Sequence, residues 1–266
     1  MWLHIFILLF GIFATIGVFS SFFVKQIKNS LYFRPNNTIY QSDYKLISNY
    51  RGQFVNIKNI TAVYFKCNNR SKSNYIILHC HGNAGNMFNR FYLSNKFRKI
   101  KCDLLIFDYS GYGLSSGSTS EKQMYIDTQL CFNYLTSIGY AKCQIIMYGE
   151  SIGCPIAIKI AIDNLCDKVI LQSSVYSINQ YIYDKFPKFI SHLLTFFTKS
   201  DFRTDLYLEK YKYRCMLIHG TNDELFNPIH IVKFSELRPQ IKLSLVYGDH
   251  NNLEIDWYQI HKFINS

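Results

Sequence analysis

The first 24 residues contain no aspartate, glutamate, lysine or arginine. At about 1.5 Å per residue, a helix of that length crosses a bilayer core of about 30 Å. No basic segment precedes this apolar stretch and no A-x-A-like site follows it, which argues against a cleaved signal peptide. We therefore expect residues 1–24 to form a single membrane-spanning anchor and residues 25–49 an irregular lead-in. Lys25, Lys28 and Arg34 follow the span and favour a cytoplasmic catalytic domain only weakly. The sequence therefore does not decide on which side of an endomembrane or plasma membrane the domain lies.

Dense blocks of lysine and arginine are also missing, although the net charge is +11, and we do not expect nucleic acid as a partner. The eight cysteines show no C-x-x-C spacing, which favours buried free thiols over disulfides or zinc. His79 and His81 share one face of a predicted strand, but no third ligand of suitable spacing is evident. We expect no metal site.

From residue 50 to 266, short apolar segments of strand length alternate with segments of helical periodicity. This alternation predicts an α/β domain with a mostly parallel sheet covered by helices on both faces. Most glycines directly follow a predicted strand, and in such sheets the site lies beyond the carboxyl ends of the strands. Residues 175–213 interrupt the alternation, are dense in Phe, Leu and Tyr, and are predicted to form a short lid.

The stretch Gly149-Glu150-Ser151-Ile152-Gly153 matches G-x-S-x-G. An apolar segment of strand length precedes it and a segment with helical spacing follows, the context in which this motif forms a nucleophile elbow. Alone, the motif also fits an ordinary turn. In the context of the elbow, we expect the Ser151 hydroxyl to project beyond the sheet edge, where the helix N-terminus adds backbone N–H groups.

A serine nucleophile needs a base, and that base needs a carboxylate to hold it. Asp223 and His250 follow the last two predicted strands, in the chain order Ser, Asp, His of α/β hydrolases. Glu224 is the alternative acid. For the oxyanion, we expect donors from the backbone N–H groups of Ile152 and Asn83.

Five segments in order carry a family resemblance: H-G-N-A-G-N, D-Y-S-G-Y-G-L-S-S-G, G-E-S-I-G, H-G-T-N-D-E and G-D-H-N-N. The chain resembles the α/β-hydrolase superfamily from about residue 50 onward. Within it, the chain is similar to the membrane-anchored α/β-hydrolase domain-containing proteins, which include the bud-emergence-like, thirteen-type and seventeen-type proteins. The resemblance implies a serine hydrolase with Ser151, Asp223 and His250 as its catalytic triad and no cofactor.

Two departures from that family stand out. Ser110 occupies the place where the family usually has an arginine, so a charge near the site is lost. The lipidated cysteine-rich N-terminus of the seventeen-type depalmitoylases is replaced by an apolar span, which favours the thirteen-like kind.

The apolar lid segment beside a membrane anchor suits a lipid-like ester or an acyl thioester, on a lipid or an acylated protein. The same apolar residues would also serve to pack a cap helix onto the core. A catalytically silent membrane-tethered scaffold and a peptidase are the alternative functions. The sequence assigns no substrate-binding residues and no oligomeric state.

Overall fold

The computed structural model describes residues 32–67, 74–198, 202–238 and 240–266. The chain divides into two compact units, Met1–Arg34 and Pro35–Ser266. Residues 32–34 alone are described in the first unit, so the predicted anchor at residues 1–24 lies outside the described residues. Within the described part of the chain, no helix is long and apolar enough to span a membrane.

The second unit is built on one eight-stranded sheet. Its strands are β1 (Gly52–Ile57), β2 (Ile60–Phe65), β3 (Ile76–Cys80), β4 (Asp103–Phe107), β5 (Ile145–Glu150), β6 (Lys168–Gln172), β7 (Arg214–Gly220) and β8 (Ile241–Val246). They lie in the order β8-β7-β6-β5-β3-β4-β2-β1. Only β2 runs antiparallel to both of its neighbours, and β3 to β8 pair in parallel. The predicted mostly parallel sheet is confirmed.

The helices are α1 (Gln41–Asn49), α2 (Tyr92–Lys99), α3 (Glu121–Ser137), α4 (Gly153–Asn164), α5 (Ile178–Lys185), α6 (Lys188–Thr198), α7 (Thr204–Lys210), α8 (Pro228–Leu237) and α9 (Trp257–Asn265). Short 3₁₀ turns lie at Met87–Arg90 and Lys142–Gln144, and two-residue strands at Arg34–Pro35 and Ala84–Gly85. The central strands β3 to β6 are buried along their length, because helices cover both faces of the sheet.

One face of the sheet forms a core with α2 and α9, in which Phe97 and Ile260 pack among strand residues such as Ile146 and Ile170. Helix α4 packs on β5 and β6, with α3 and α7 beside it. The packing fixes the start of α4 against the end of β5, which is where the elbow lies.

One sequence expectation is corrected. The lead-in at residues 25–49 is not irregular throughout, because α1 occupies Gln41–Asn49 and the side chain of Asp43 caps its start by accepting the N–H of Tyr40. The 3₁₀ turn at Met87–Arg90 leads directly into α2. The interruption at residues 175–213 contains α5, α6 and α7.

Candidate active site

The turn between β5 and α4 places Ser151 at the carboxyl edge of the sheet. Its backbone has φ of 54°, a left-handed conformation that is costly for a non-glycine residue and is typical of functional turns. A Cβ on Gly153 would lie 2.1 Å from the carbonyl oxygen of Cys80 on β3, and one on Gly149 would lie 2.5 Å from Cα of Cys154. Only glycine therefore fits on either side of Ser151, for the steric reason that the motif predicts.

A continuous chain of hydrogen bonds joins three of the predicted site residues. The hydroxyl oxygen of Ser151 lies 3.0 Å from Nε2 of His250, and Nδ1 of His250 lies 2.8 Å from Oδ2 of Asp223. Ser151 is separated from His250 by 99 positions in the sequence. The fold thus brings together, at hydrogen-bond distance, a hydroxyl, an imidazole and a carboxylate in the arrangement that activates a serine.

The carboxylate of Asp223 is buried and held by four groups. Its Oδ1 accepts the backbone N–H groups of Leu225 (2.9 Å) and Phe226 (2.8 Å). Its Oδ2 faces His250 and, at 3.2 Å, Nε2 of His219. Burial alone would raise the pKa of Asp223, but the hydrogen bonds from His219, His250 and Phe226 outweigh it and hold that pKa well below its usual range. Asp223 is therefore ionised at neutral pH, and the alternative acid Glu224 has no such place in the network.

His219, the last residue but one of β7, is a site residue that the sequence analysis did not assign. It is fully buried, and its Nε2 also lies 2.9 Å from the carbonyl oxygen of Phe226. One ring nitrogen of His219 therefore holds both ends of the loop that carries Asp223. A histidine four positions before the acid was the available signal.

The loop that carries His250 is fixed from two sides. The hydroxyl of Ser173, just after β6, donates to the carbonyl oxygen of His250 at 2.9 Å. The ring of Phe226 meets the His250 imidazole edge to face, with centroids 5.1 Å apart. These contacts hold the imidazole between Ser151 and Asp223.

The loop after β3 lies against the elbow, as expected for an oxyanion loop. A Cβ placed on Gly82 would come within 3.4 Å of Cβ of Ser151. The next residue, Asn83, accepts a hydrogen bond through its side-chain oxygen from the hydroxyl of Tyr112 at 3.1 Å. Ile152 precedes the first residue of α4, so its N–H belongs to the first-turn donors that have no acceptor within their own helix. Their roles as oxyanion donors stay predictions.

An ion pair links the oxyanion loop to the elbow. Nη2 of Arg90 lies 2.8 Å from Oε1 of Glu150, and Nε of Arg90 lies 3.4 Å from Oε2. Nη1 of the same guanidinium donates to the carbonyl oxygen of Ala84 at 2.7 Å. Burial raises the pKa of Glu150, but the charge of Arg90 and the hydrogen bonds from His79 and Arg90 outweigh it and keep the carboxylate ionised. Arg90 thus ties the residue before the nucleophile to the loop opposite it.

Two buried groups support the oxyanion loop from behind. Burial lowers the pKa of His81 to about 3, so its imidazole is neutral, and its Nδ1 lies 2.7 Å from the carbonyl oxygen of Gly82. Burial raises the pKa of Asp108 to about 7, and its Oδ1 accepts the N–H of Met87 at 2.7 Å. Together they fix both ends of the loop.

Ser110, at the place of the family's usual arginine, is well supported. Its N–H and its hydroxyl donate to the two carboxylate oxygens of Asp127 at 2.7 and 3.0 Å. The side-chain amide of Gln123 donates to the same carboxylate at 2.8 Å. A serine bonded to a helix carboxylate therefore anchors this loop without the arginine.

The sequence is similar to known families and proteins. A family model described as serine aminopeptidase, S33, matches residues 71–207. The chain is 32% identical over 198 residues to α/β hydrolase domain-containing protein 17C of Xenopus tropicalis, covering 69% of this chain and 58% of that protein. It is 29% identical over 210 residues to protein 17B of Homo sapiens, covering 74% of this chain and 66% of that protein. The chain thus spans less than two thirds of the relatives' length.

Solved structures show the same fold. An α/β hydrolase from Vibrio vulnificus superposes with a TM-score of 0.70 at 20% identity, over 86% of this chain and 87% of that one. An esterase from Pyrococcus furiosus superposes with a TM-score of 0.67 at 16% identity, over 88% of this chain and 97% of that one. At these identities the likeness concerns the architecture alone.

Proposed function

Because the chain belongs to the α/β-hydrolase superfamily, we propose that it is a serine hydrolase that cleaves a lipid-like ester or an acyl thioester. The observation that carries the proposal is the hydrogen-bonded series Ser151, His250 and Asp223 at the tip of a strained elbow. Residues 1–24, with no charged side chain, support a single-pass membrane anchor. With such an anchor, the protein is associated with a membrane.

The geometry supports a two-step acyl transfer. Nε2 of His250 accepts the Ser151 proton as the hydroxyl oxygen attacks the acyl carbonyl, and the ionised Asp223 stabilises the resulting imidazolium. The N–H groups of Ile152 and Asn83 are the proposed donors to the oxyanion, and losing one such donor typically lowers the rate about a hundred- to a thousand-fold. His250 then protonates the leaving alcohol or thiol. A water molecule, deprotonated by His250, releases the carboxylic acid and restores Ser151.

The substrate class rests on the surroundings of the site. Phe226 packs on the His250 ring and Tyr181 of α5 packs on Phe226, with ring centroids 5.1 and 5.7 Å apart. An apolar wall beside the base favours an acyl chain over a charged substrate. This suits a long-chain lipid ester or an acylated protein.

A peptidase is the second candidate, because the matching family model is described as a serine aminopeptidase. An aminopeptidase needs an anion for the substrate's amino group. Glu150 is the acid next to the nucleophile, and Arg90 already holds its carboxylate. This pairing favours the ester or thioester reaction.

Active-site labelling tests the proposal. The full chain in detergent is treated with a fluorophosphonate probe and compared with Ser151→Ala and with Ser137→Ala, which changes an exposed serine at the end of α3. We expect labelling of the native protein and of Ser137→Ala, and none of Ser151→Ala. Absence of labelling in folded native protein would favour the scaffold alternative.

Turnover of three substrate types then separates the candidates. We expect p-nitrophenyl esters and S-acyl peptides to be hydrolysed faster as the acyl chain lengthens from two to about sixteen carbons, while aminoacyl amides stay intact. Preferred cleavage of the amides would establish the peptidase instead.

A further inference from the structure

Helix α6 exposes its apolar side to water and buries its hydroxyl-bearing side. Phe189 and Leu193 are 84% and 60% exposed, and Ile190 lies beside them at 41%. The buried positions of the same helix are Ser191 and Thr195, at 0% and 8% exposure. Ser191 follows Phe189 by two positions, and Thr195 follows Leu193 by two. A separation of two positions is a rotation of about 200° around a helix of 3.6 residues per turn, so the apolar and hydroxyl-bearing sides are opposed.

Hydrogen bonds hold the helix in this orientation. The hydroxyl of Ser191 reaches the carbonyl oxygens of Ile182 (3.2 Å) and Phe186 (3.0 Å). The hydroxyl of Thr198, on the same side, donates to the side-chain oxygen of Asn179 on α5 at 2.8 Å. Rotating the apolar side inward would break these three hydrogen bonds to α5 and to the residue after it. The exposed apolar side is therefore a feature of the packed α5–α6 hairpin.

Two lysines lie at the start of α6, and the carboxylate nearest to them in the sequence, Asp184, is paired with His230 of α8. Helix α6 has no acidic residue and begins at Lys188, with Lys185 three positions before it. Both lysines are exposed. An apolar helix side with lysines at its start matches the interface of an anionic bilayer, where apolar side chains enter the acyl region and lysines meet phosphates. The chain as a whole carries a net charge of +11.

We propose that the exposed side of α6, formed by Phe189, Ile190 and Leu193, lies in the surface of an anionic lipid bilayer together with Phe186, which directly follows α5. This membrane-docking surface is separate from any anchor at residues 1–24. It does not depend on catalysis.

The hairpin also connects this surface to the site. Tyr181 of α5 packs on Phe226, and Phe226 packs on His250. A second link joins Asp184 of α5 to His230 of α8, 2.7 Å apart. Docking of α6 would bring the bilayer to the side of the site that Tyr181 and Phe226 line, where an acyl chain leaving the bilayer reaches Ser151.

Photocrosslinking in membranes tests the proposal on the full chain. Phe189 is replaced by p-benzoylphenylalanine, and the matched control carries the same group at Tyr258, a 72% exposed aromatic residue on α9. Both proteins are reconstituted in vesicles of phosphatidylcholine and phosphatidylserine at three to one, illuminated, and digested for mass spectrometry. We expect at least five times more lipid adduct at position 189 than at 258. Leu193 replaced in the same way provides a second probe if the first variant unfolds.

A charge variant tests the lysine contribution. With the probe at 189, Lys188→Glu should lower the yield of lipid adduct at least threefold in the anionic vesicles. Three results would each overturn the proposal. They are equal yields of lipid adduct at positions 189 and 258, no lipid adduct at position 189 or 193 in folded protein, and a crosslink from position 189 to a second copy of the chain. Since the crosslinking readout requires no turnover, its result is independent of the labelling of Ser151.

Discussion

The ion pair between Arg90 and Glu150 should affect both stability and catalysis. Its two hydrogen bonds join Arg90 to the elbow, Arg90 also bonds Ala84 of the oxyanion loop, and the paired side chains are only 12% and 19% exposed. Removing one partner of a fully buried pair costs about 3–5 kcal/mol. Because each partner here keeps some contact with water, we expect Glu150→Gln and Arg90→Gln each to lower the free energy of unfolding by about 3 kcal/mol.

The double variant separates the pair from its surroundings. Once both charges are gone, neither is left without its partner, so we expect a total loss of about 4 kcal/mol instead of about 6. The coupling of about 2 kcal/mol lies in the range of directly contacting residues. Urea unfolding followed by far-ultraviolet circular dichroism measures it.

Catalysis gives the second measurement. Because Arg90 also holds the carbonyl of Ala84 in the oxyanion loop, Glu150→Gln should lower kcat for a short soluble ester about tenfold, or about 1.4 kcal/mol, with KM nearly unchanged. An interaction made only in the transition state has this signature. Asp205→Asn, which breaks the pair with Arg203, is the control and should lower stability without changing kcat. Additive losses of stability, or an unchanged kcat in Glu150→Gln, would refute the reasoning.

Three further variants test the surroundings of the site. Gly153→Ala places a methyl group 2.1 Å from the carbonyl oxygen of Cys80. We therefore expect the free energy of unfolding to fall by more than about 3 kcal/mol and fluorophosphonate labelling to be lost. A stable variant that is fully labelled would contradict this. Burial raises the pKa of Asp108 to about 7, so ionisation of this carboxyl destabilises the fold as pH rises from about 4 through 7. Relative to native protein, Asp108→Asn should therefore gain stability between pH 5 and 8, by at most about 4 kcal/mol in urea titrations. A difference in stability that does not change with pH would exclude this cause. Ser110→Ala loses the hydroxyl bond to Asp127, so we expect the free energy of unfolding to fall by about 1–2 kcal/mol in urea titrations, with little change in kcat. An inactive but stable variant would assign the hydroxyl to catalysis.

The sheet and the elbow were predictable because their causes are local. Strand-length apolar segments alternate with helical ones, and this alternation allows little but a parallel α/β sheet. Gly149 and Gly153 were predictable for the same reason, since a turn between a packed strand and helix has no room for side chains, as the approach to Cys80 shows.

Contacts between distant segments were not predictable. Arg90 and Glu150 are separated by 60 positions, and a charged residue on a predicted helix is usually solvated. The contact of His219 with Asp223 depends on how the loop after β7 folds back.

The orientation of α6 shows the limit of periodicity. Its apolar residues have helical spacing, and the sequence suggests that this side packs on the core or lines an acyl site. Spacing identifies the sides of a helix but not which side faces inward. The hydroxyl side of α6 packs inward because Ile182, Phe186 and Asn179 offer acceptors there, and those acceptors lie on α5 and directly after it.

The distance along the chain between Ser151 and His250 has a consequence during synthesis. Ribosomes add about 5–20 residues per second, so the 99 positions between them take about 5–20 s to translate. In that interval the elbow strand can already pair with β3, whereas Asp223 is made only 27 positions before His250, and the imidazole comes last. The nascent chain therefore carries Ser151 without its hydrogen-bonding partner until β8 and the loop beyond it are in place.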